Sequence, residues 1–332
     1  MRSRLDRITC RLQLPDAGKR RAIARMQGHL RANNVDVVDG EPSPGSDQSE
    51  YDLVFFENAP VQEVALSVQF APETFDIEAI GRFARDTHDE LPGRQRQPAL
   101  PPMVESFEKV TAPPSMEIRL EPVTVLPRMW FLSADGTQLV QLQHDRLTLN
   151  WRELDRAAGY PRYSQLRERF ARILSMLVAG SEEVGQTIVA NLCEVTYVNT
   201  IDPREDAEEG PTGHAQLADV INRIRPRPDD AFLPPAEDAQ LTVRWRIPGS
   251  EIGKDENEPA GRLYLHAAPG VKPTNFVPIY LVNLTAHVIP PVGSVDGALR
   301  ALDVAHKWAA LGFKDLTTPE MHRLWGLKEQ SR

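Results

Sequence analysis

The chain has 332 residues, 41% of them hydrophobic and 26% charged, with a net charge of −9, which is material for one large or two ordinary cores and excludes a disordered chain. No apolar run approaches the roughly 20 residues of a membrane helix, and the first residues lack the apolar stretch of a secretory signal. The two cysteines, Cys10 and Cys193, are too few for a disulfide framework, so a cytoplasmic protein without a membrane partner is expected.

Charge is uneven along the chain. Residues 1–31 hold nine Lys and Arg against two Asp, a balance of +7, which leaves −16 for the rest. Such a head, with a helix expected over 18–33, can meet a phosphate backbone or an acidic partner, or be a solvated helix face. The acidic remainder disfavours nucleic-acid binding anywhere else. Residues 39–51 (DGEPSPGSDQSEY) have linker composition, so the expected parts are a basic extension over 1–38, the linker, and a folded body.

In the body, Val61–Phe70 reads as a strand, and Asp76–Leu91 as a helix with Ile77, Ile80, Phe83 and Ala84 on one face before Pro92 and Gly93. After a proline-rich crossing (PALPP), strands are expected at Met116–Leu126, Arg128–Ser133, Thr137–Gln143 and Arg146–Arg152, with Asp135-Gly136 as a hairpin turn. Tyr163–Ala179 has the spacing of a long amphipathic helix. A second pass then follows. Strand Val189–Ile201 repeats Glu63-Val64 as Glu194-Val195, an offset of 194 − 63 = 131. Helix His214–Ile224, strands Leu241–Ile247, Arg262–Ala267 and Phe276–Ile289, and a helix capped by Ser294 complete it. A last short helix has Thr318 as N-cap and Pro319 at its first position. The expected fold class is α+β. Two β-α-β(3–4)-α halves, 52–186 and 187–327, share a curved antiparallel sheet with the long helices on one face, as in TATA-binding-protein-like or helix-grip architectures.

Several strings occur together: EVALSVQF (63–70), RMWFLSADGTQLVQLQHDRLTLNWRE (128–153), YPRY (160–163), EVTYVN (194–199) and LTTPEMHRLWG (316–326). Their Gln-x-Gln hairpin, Asn-Trp-Arg ending, Tyr-Pro-x-Tyr helix entry and terminal Leu-Thr-x-Pro-x-x-x-x-x-Trp-Gly resemble a sporadically distributed prokaryotic family of uncharacterised proteins. The resemblance spans residues 58–327 and leaves out the basic head. It implies the fold and, through the sporadic distribution, an accessory role of the defence or toxin-control kind. It implies no activity, cofactor or catalytic residue.

Three groups of residues are candidates for a site. Asn150, Trp151, Arg152, Tyr160, Arg162 and Tyr163, with Arg128 and Trp130 on a neighbouring strand, combine aromatic bodies with planar cationic forks suited to carboxylate or phosphate. The bland alternative is a strand-to-helix corner held by aromatic packing. Gln141 and Gln143 share a strand face with Leu139 beside His144 and Asp145, which is either a polar-lined seam or a solvated hairpin face. Asp303, His306, His322 and Trp325 form a polar group near the C-terminus, but no His pair at helical spacing marks a metal site, so no metal or cofactor is expected. His306 lies on an apolar stripe, where a core histidine is the usual reading.

No phosphate loop, nucleophile elbow or Cys-x-x-Cys is present. Mid-strand Cys193 reads as an inert buried thiol. The leading expectation is a non-catalytic binding protein that uses a sheet cavity or the groove between halves for a small ligand or a protein or peptide partner. The alternatives are a helix-grip-type hydrolase or lyase with His306 or His322 as general base, and nucleic-acid binding through residues 1–31 with the body as a homodimerisation module.

Overall fold

The computed structural model describes residues 53–71, 75–107, 126–154, 159–183, 185, 187–202, 216–224, 232–234, 236–272 and 276–328, all within the unit Gln48–Arg332. The expected basic helix over 18–33, the linker, Cys10 and nearly all of the expected strand Met116–Leu126 lie outside the described residues.

The fold is α+β, with an antiparallel nine-stranded sheet. In chain order the strands and helices are β1 (Phe55–Phe56), β2 (Val61–Phe70), α1 (Ile77–Asp86), β3 (Gly93–Gln97), β4 (Arg128–Leu132), β5 (Gln138–Gln143), β6 (Arg146–Arg152) and α2 (Tyr163–Glu182), followed by β7 (Ala190–Ile201), α3 (Leu217–Val220), β8 (Leu241–Ile247), β9 (Gly261–Val271), β10 (Pro278–Val288), α4 (Val295–Leu316), α5 (Pro319–Leu324) and β11 (Leu327–Lys328). The sheet order is β3-β4-β5-β6-β2-β7-β10-β9-β8, and β1 pairs separately with β11. At its centre β2 pairs with β7 in the register Ala65↔Thr196 and Ser67↔Glu194.

Strand alternation sorts side chains onto two faces. Val64, Leu66 and Val68 of β2 and Cys193, Val195 and Tyr197 of β7 point the same way and are buried. Above them lie α2, against β6 and β2, and α4, against β7, β10 and β9. Phe170 of α2 and Leu302 of α4 are fully enclosed there. The opposite face, called the open face below, carries Ser67, Thr148, Glu194, Thr196 and Thr285, whose hydroxyls pair across strands as Ser67–Thr148 at 2.8 Å and Thr196–Thr285 at 2.9 Å. Among the described residues no helix is long and apolar enough to cross a membrane.

Local signals set several boundaries as expected. Asp135 accepts from the backbone N–H of Thr137 at 3.0 Å to close the β4–β5 hairpin. Ser294 accepts from Gly297 at the start of α4, and Thr318 from Met321 at the start of α5 with Pro319 next in line.

Elsewhere the structure corrects the sequence reading. Helix α1 stops at Asp86, five residues before Leu91, because the Thr87 hydroxyl donates back to the Phe83 carbonyl at 2.8 Å and ends the turn. Its buried stripe is Ala79, Ile80 and Phe83, whereas Ile77 is exposed. Residues 93–97 (GRQRQ) contain no β-former, yet they form edge strand β3, held by Arg94, which lies 4.8 Å over the Phe131 ring and donates to the Ala84 carbonyl at 2.6 Å. Of the expected helix His214–Ile224, residues 214–215 lie outside the described residues, and α3 ends after Val220, since Ile221 leaves the helix to bridge Thr317.

Candidate functional site

The structure divides the predicted corner between the two faces of the sheet, because neighbouring strand residues point oppositely. Trp151 faces the helices and packs on Tyr160 at 5.4 Å between ring centres. Asn150 faces the open side. There Gln141 gathers the other candidates: it accepts from Arg128 Nη1 at 2.8 Å and Trp130 Nε1 at 3.1 Å, and donates to Asn150 Oδ1 at 2.7 Å. Asn150 in turn donates to Glu63 at 2.6 Å. Arg152 donates to the Gly136 carbonyl at 3.5 Å. Arg128, Trp130 and Asn150 therefore do not meet Trp151, Tyr160 and Tyr163.

On the helix side, Tyr160 and Arg162 line a pocket of about 540 Å³ with Asn58, Asp202, Glu153 and Trp325. The Arg162 guanidinium sits 3.9 Å from the Phe55 ring centre. Below lies a smaller cavity of about 60 Å³ reached by Tyr163, Tyr197 and His306. His306 stacks on Tyr163 at 3.8 Å, and its Nδ1 shares a 2.8 Å hydrogen bond with the Tyr197 hydroxyl. The Tyr163 hydroxyl donates to Asp303 at 2.9 Å, and Arg167 clamps the same carboxylate with Nη2–Oδ2 at 2.8 Å. Burial first, and the Asp303 charge second, hold the Tyr163 hydroxyl well above its ordinary pKa. His322 bonds Thr317 Oγ1 at 2.9 Å, and Trp325 stacks on Phe313 at 5.2 Å. Asp303 and His306 thus join Tyr163 rather than His322.

Asp303→Asn tests whether this network holds α2 to α4. The amide keeps a partner for Tyr163 but loses the charge facing Arg167, so unfolding free energy should fall by about 1–2 kcal/mol. A denaturant titration measures it, and an unchanged midpoint excludes a stabilising role for the pair.

The open face holds what sequence reasoning missed. Residues Pro98–Phe107 (PALPPMVESF), between β3 and β4, lie as a strap across six other strands, from β5 to β9. Three prolines bar both helix and ladder pairing in this stretch. Instead side chains of the sheet grip its backbone. Gln143 of β5 accepts from Leu100 N and donates to Leu100 O, both at 3.0 Å. Gln69 of β2 accepts from Met103 N at 2.6 Å and donates to Met103 O at 2.9 Å. Between them Arg146 of β6 donates to the Pro101 carbonyl at 2.9 Å. The geometry is self-consistent: β5 to β9 is five strand spacings, about 24 Å, and the seven residues from Leu100 to Ser106 span about 23 Å when extended. Gln143, with 1% exposure, is therefore no solvated hairpin residue.

At the far end Glu105 enters a cage on β9 and β10. Its carboxylate accepts from Arg262, the Tyr264 hydroxyl and His287 Nδ1, the last at 2.7 Å. His287 Nε2 faces Glu194 at 2.8 Å, and Arg262 donates to the Ser106 carbonyl at 2.7 Å while covering the Phe107 ring at 4.4 Å. Burial lowers the affinity of His287 for its proton, but two flanking carboxylates outweigh it and raise the pKa to about 9. Burial raises that of Glu105, and the hydrogen bonds of His287 and Tyr264 outweigh it, so the carboxyl lies below its ordinary range. The one sequence signal was alternation, which puts Arg262, Tyr264 and His266 on one strand face.

Cys193 is fully buried, and burial pushes its thiol far up. Among the described residues no three His, Cys, Asp or Glu side chains are grouped to hold a metal ion. Compared with known proteins, the chain matches no protein-family model, and no curated protein matches its sequence.

Proposed function

We propose that the chain is a non-catalytic binding protein that holds an extended segment of a protein partner across the open face, on a duplicated scaffold of TATA-binding-protein-like or helix-grip kind. One observation carries the binding reading: Gln143 and Gln69 each hold both backbone groups of one residue, N–H and C=O together, three residues apart on the strap. Such contacts recognise any extended backbone, as in peptide recognition through main-chain hydrogen bonds. Gln143 belongs to the Gln-x-Gln hairpin that the sequence shares with the prokaryotic family it resembles, and membership of that family is part of the proposal. The groups suited to catalysis are committed elsewhere: the Cys193 thiol is buried, and His306 is stacked on Tyr163. A cytoplasmic setting suits that unpaired thiol.

The sheet order supports the duplication. About the central β2–β7 pair, β6 corresponds to β10, β5 to β9 and β4 to β8, with β3 extra. The long helices agree at an offset of 295 − 163 = 132: the buried Leu166, Phe170, Ile173, Leu174, Leu177 and Ser181 of α2 fall on Ala298, Leu302, Ala305, His306, Ala309 and Phe313, all buried in α4.

The test uses the full-length chain with residues 98–107 replaced by a Gly-Ser linker of equal length. A labelled peptide QPALPPMVESF added in trans should bind saturably, and Gln69→Ala with Gln143→Ala should weaken it by about tenfold or more, the loss of several backbone hydrogen bonds. A linker chain that melts cooperatively and shows no saturable binding removes the reading.

A further inference from the structure

The strap is not needed to join the strands on either side of it. β3 and β4 are sheet neighbours, yet 30 residues (98–127) separate them, whereas five (133–137) connect β4 to β5 and two (144–145) connect β5 to β6. An antiparallel pair closes with two to five residues. Residues 98–107 therefore serve the face they cover, and they can leave without breaking a ladder.

The strap's contacts also show which segments the face can accept. Among its apolar side chains Val104 is 82% exposed and Leu100 38%, while Phe107 lies under the Arg262 guanidinium. Its polar grip comes from backbone groups and from the Glu105 carboxylate, which is 2% exposed. That carboxylate meets a guanidinium, a phenol and an imidazolium arranged on two adjacent strands. Donors aimed from three directions select a carboxylate over a neutral group, because each charge-assisted bond is roughly twice as strong as a neutral one. On the strap the carboxylate lies two residues beyond Met103, the unit read by Gln69. An extended chain rises about 3.3 Å per residue and returns to the same side every second one, so a partner must offer the same spacing.

Resting on the reading of the open face given above, we infer that residues 98–107 are a resident stand-in and that the natural occupant is an extended acidic segment of another protein. That segment places a Glu or Asp carboxylate in the Arg262–Tyr264–His287 cage and displaces the strap. Binding is therefore held in check by the chain's own Glu105.

The experiment compares peptide QPALPPMVESF with its analogue QPALPPMVQSF by fluorescence polarisation on three full-length chains: the natural sequence, Glu105→Gln, and the chain with the Gly-Ser linker. The acidic peptide should bind Glu105→Gln about tenfold or more tighter than the natural chain, because the internal competitor has lost its anchor. On both altered chains the amide analogue should bind about tenfold or more weaker than the acidic peptide. Equal affinity of the two peptides for the linker chain overturns the inference and leaves the open-face reading standing. Saturable binding to the linker chain with no gain on Glu105→Gln shows that the strap is permanent cover and also overturns it. So does a Glu105→Gln chain that becomes dimeric by passing its strap to a second copy, seen as a shift in size-exclusion elution. If neither peptide binds the folded linker chain, the open-face reading fails with it.

Discussion

Gly261→Ala is expected to cost at least about 3 kcal/mol of stability and to abolish peptide binding at the open face. A Cβ at this position would stand 1.9 Å from the His287 carbonyl oxygen, 2.9 Å from its carbon and 3.0 Å from the Val288 Cα. All three are backbone atoms, so no rotamer change relieves the clash and β9 must move away from β10. Gly261 pairs with Val288 at the end of that ladder, and Arg262 pairs with His287 next to it. Two flanking hydrogen bonds depend on the same closeness: Ala260 N–H to Ile247 O at 2.8 Å and Ile289 N–H to Ala260 O at 2.9 Å. Separation of the strands would carry Arg262 and Tyr264 away from His287 and open the cage around Glu105. Denaturant unfolding reads the first effect and peptide polarisation the second. A change within about 0.5 kcal/mol, the range of an ordinary surface substitution, would exclude so close an approach of the strands.

Much of the helix-side architecture was legible in the sequence, since it rests on local chemistry. Ser294, the Thr318-Pro319 pair and Asp135-Gly136 mark boundaries through bonds to residues two or three positions away. Runs of β-formers at Val61–Phe70 and Val189–Ile201 mark the two central strands. Strand β3 was not legible, because its stability lies in Arg94 reaching back to Ala84 and across to Phe131 rather than in β-propensity. The strap was invisible for a related reason: polar residues alternating along a strand look alike whether water or a chain segment covers them. Gln69, Gln143, Tyr264 and His287 come from four different strands, and only the register places them on one face. The partner of His287 is 182 residues away in sequence, beyond any periodicity. Asn150 and Trp151 misled for the opposite reason, since adjacency along a strand places side chains on different faces.

Raising the pH should loosen the strap before it unfolds the sheet. His287 has a pKa of about 9 against an ordinary 6.5, so it is an imidazolium at neutral pH and donates to both Glu105 and Glu194. A group whose pKa is raised on folding stabilises fully below its unfolded value, and the stabilisation is lost as pH rises through its folded value. The shift corresponds to up to about 3 kcal/mol, lost between roughly pH 6.5 and 9. Glu105 works in the other direction. Its pKa is lowered in the fold, so its contribution is present above the ordinary carboxyl range and is lost as pH falls through the lowered value. Stability should therefore be greatest between the two, near pH 5–6.5, and decline on the alkaline side. Amide exchange at Leu100 and Met103, whose N–H groups are held by Gln143 and Gln69, should lose protection over the same alkaline interval once the intrinsic rate is divided out. His287→Gln removes the titrating group while keeping a hydrogen-bonding side chain, and it should flatten the alkaline decline. If the variant and the natural chain show the same decline from pH 6.5 to 9, the imidazolium is not what fastens Glu105 and the cage holds the strap through Arg262 and Tyr264 alone.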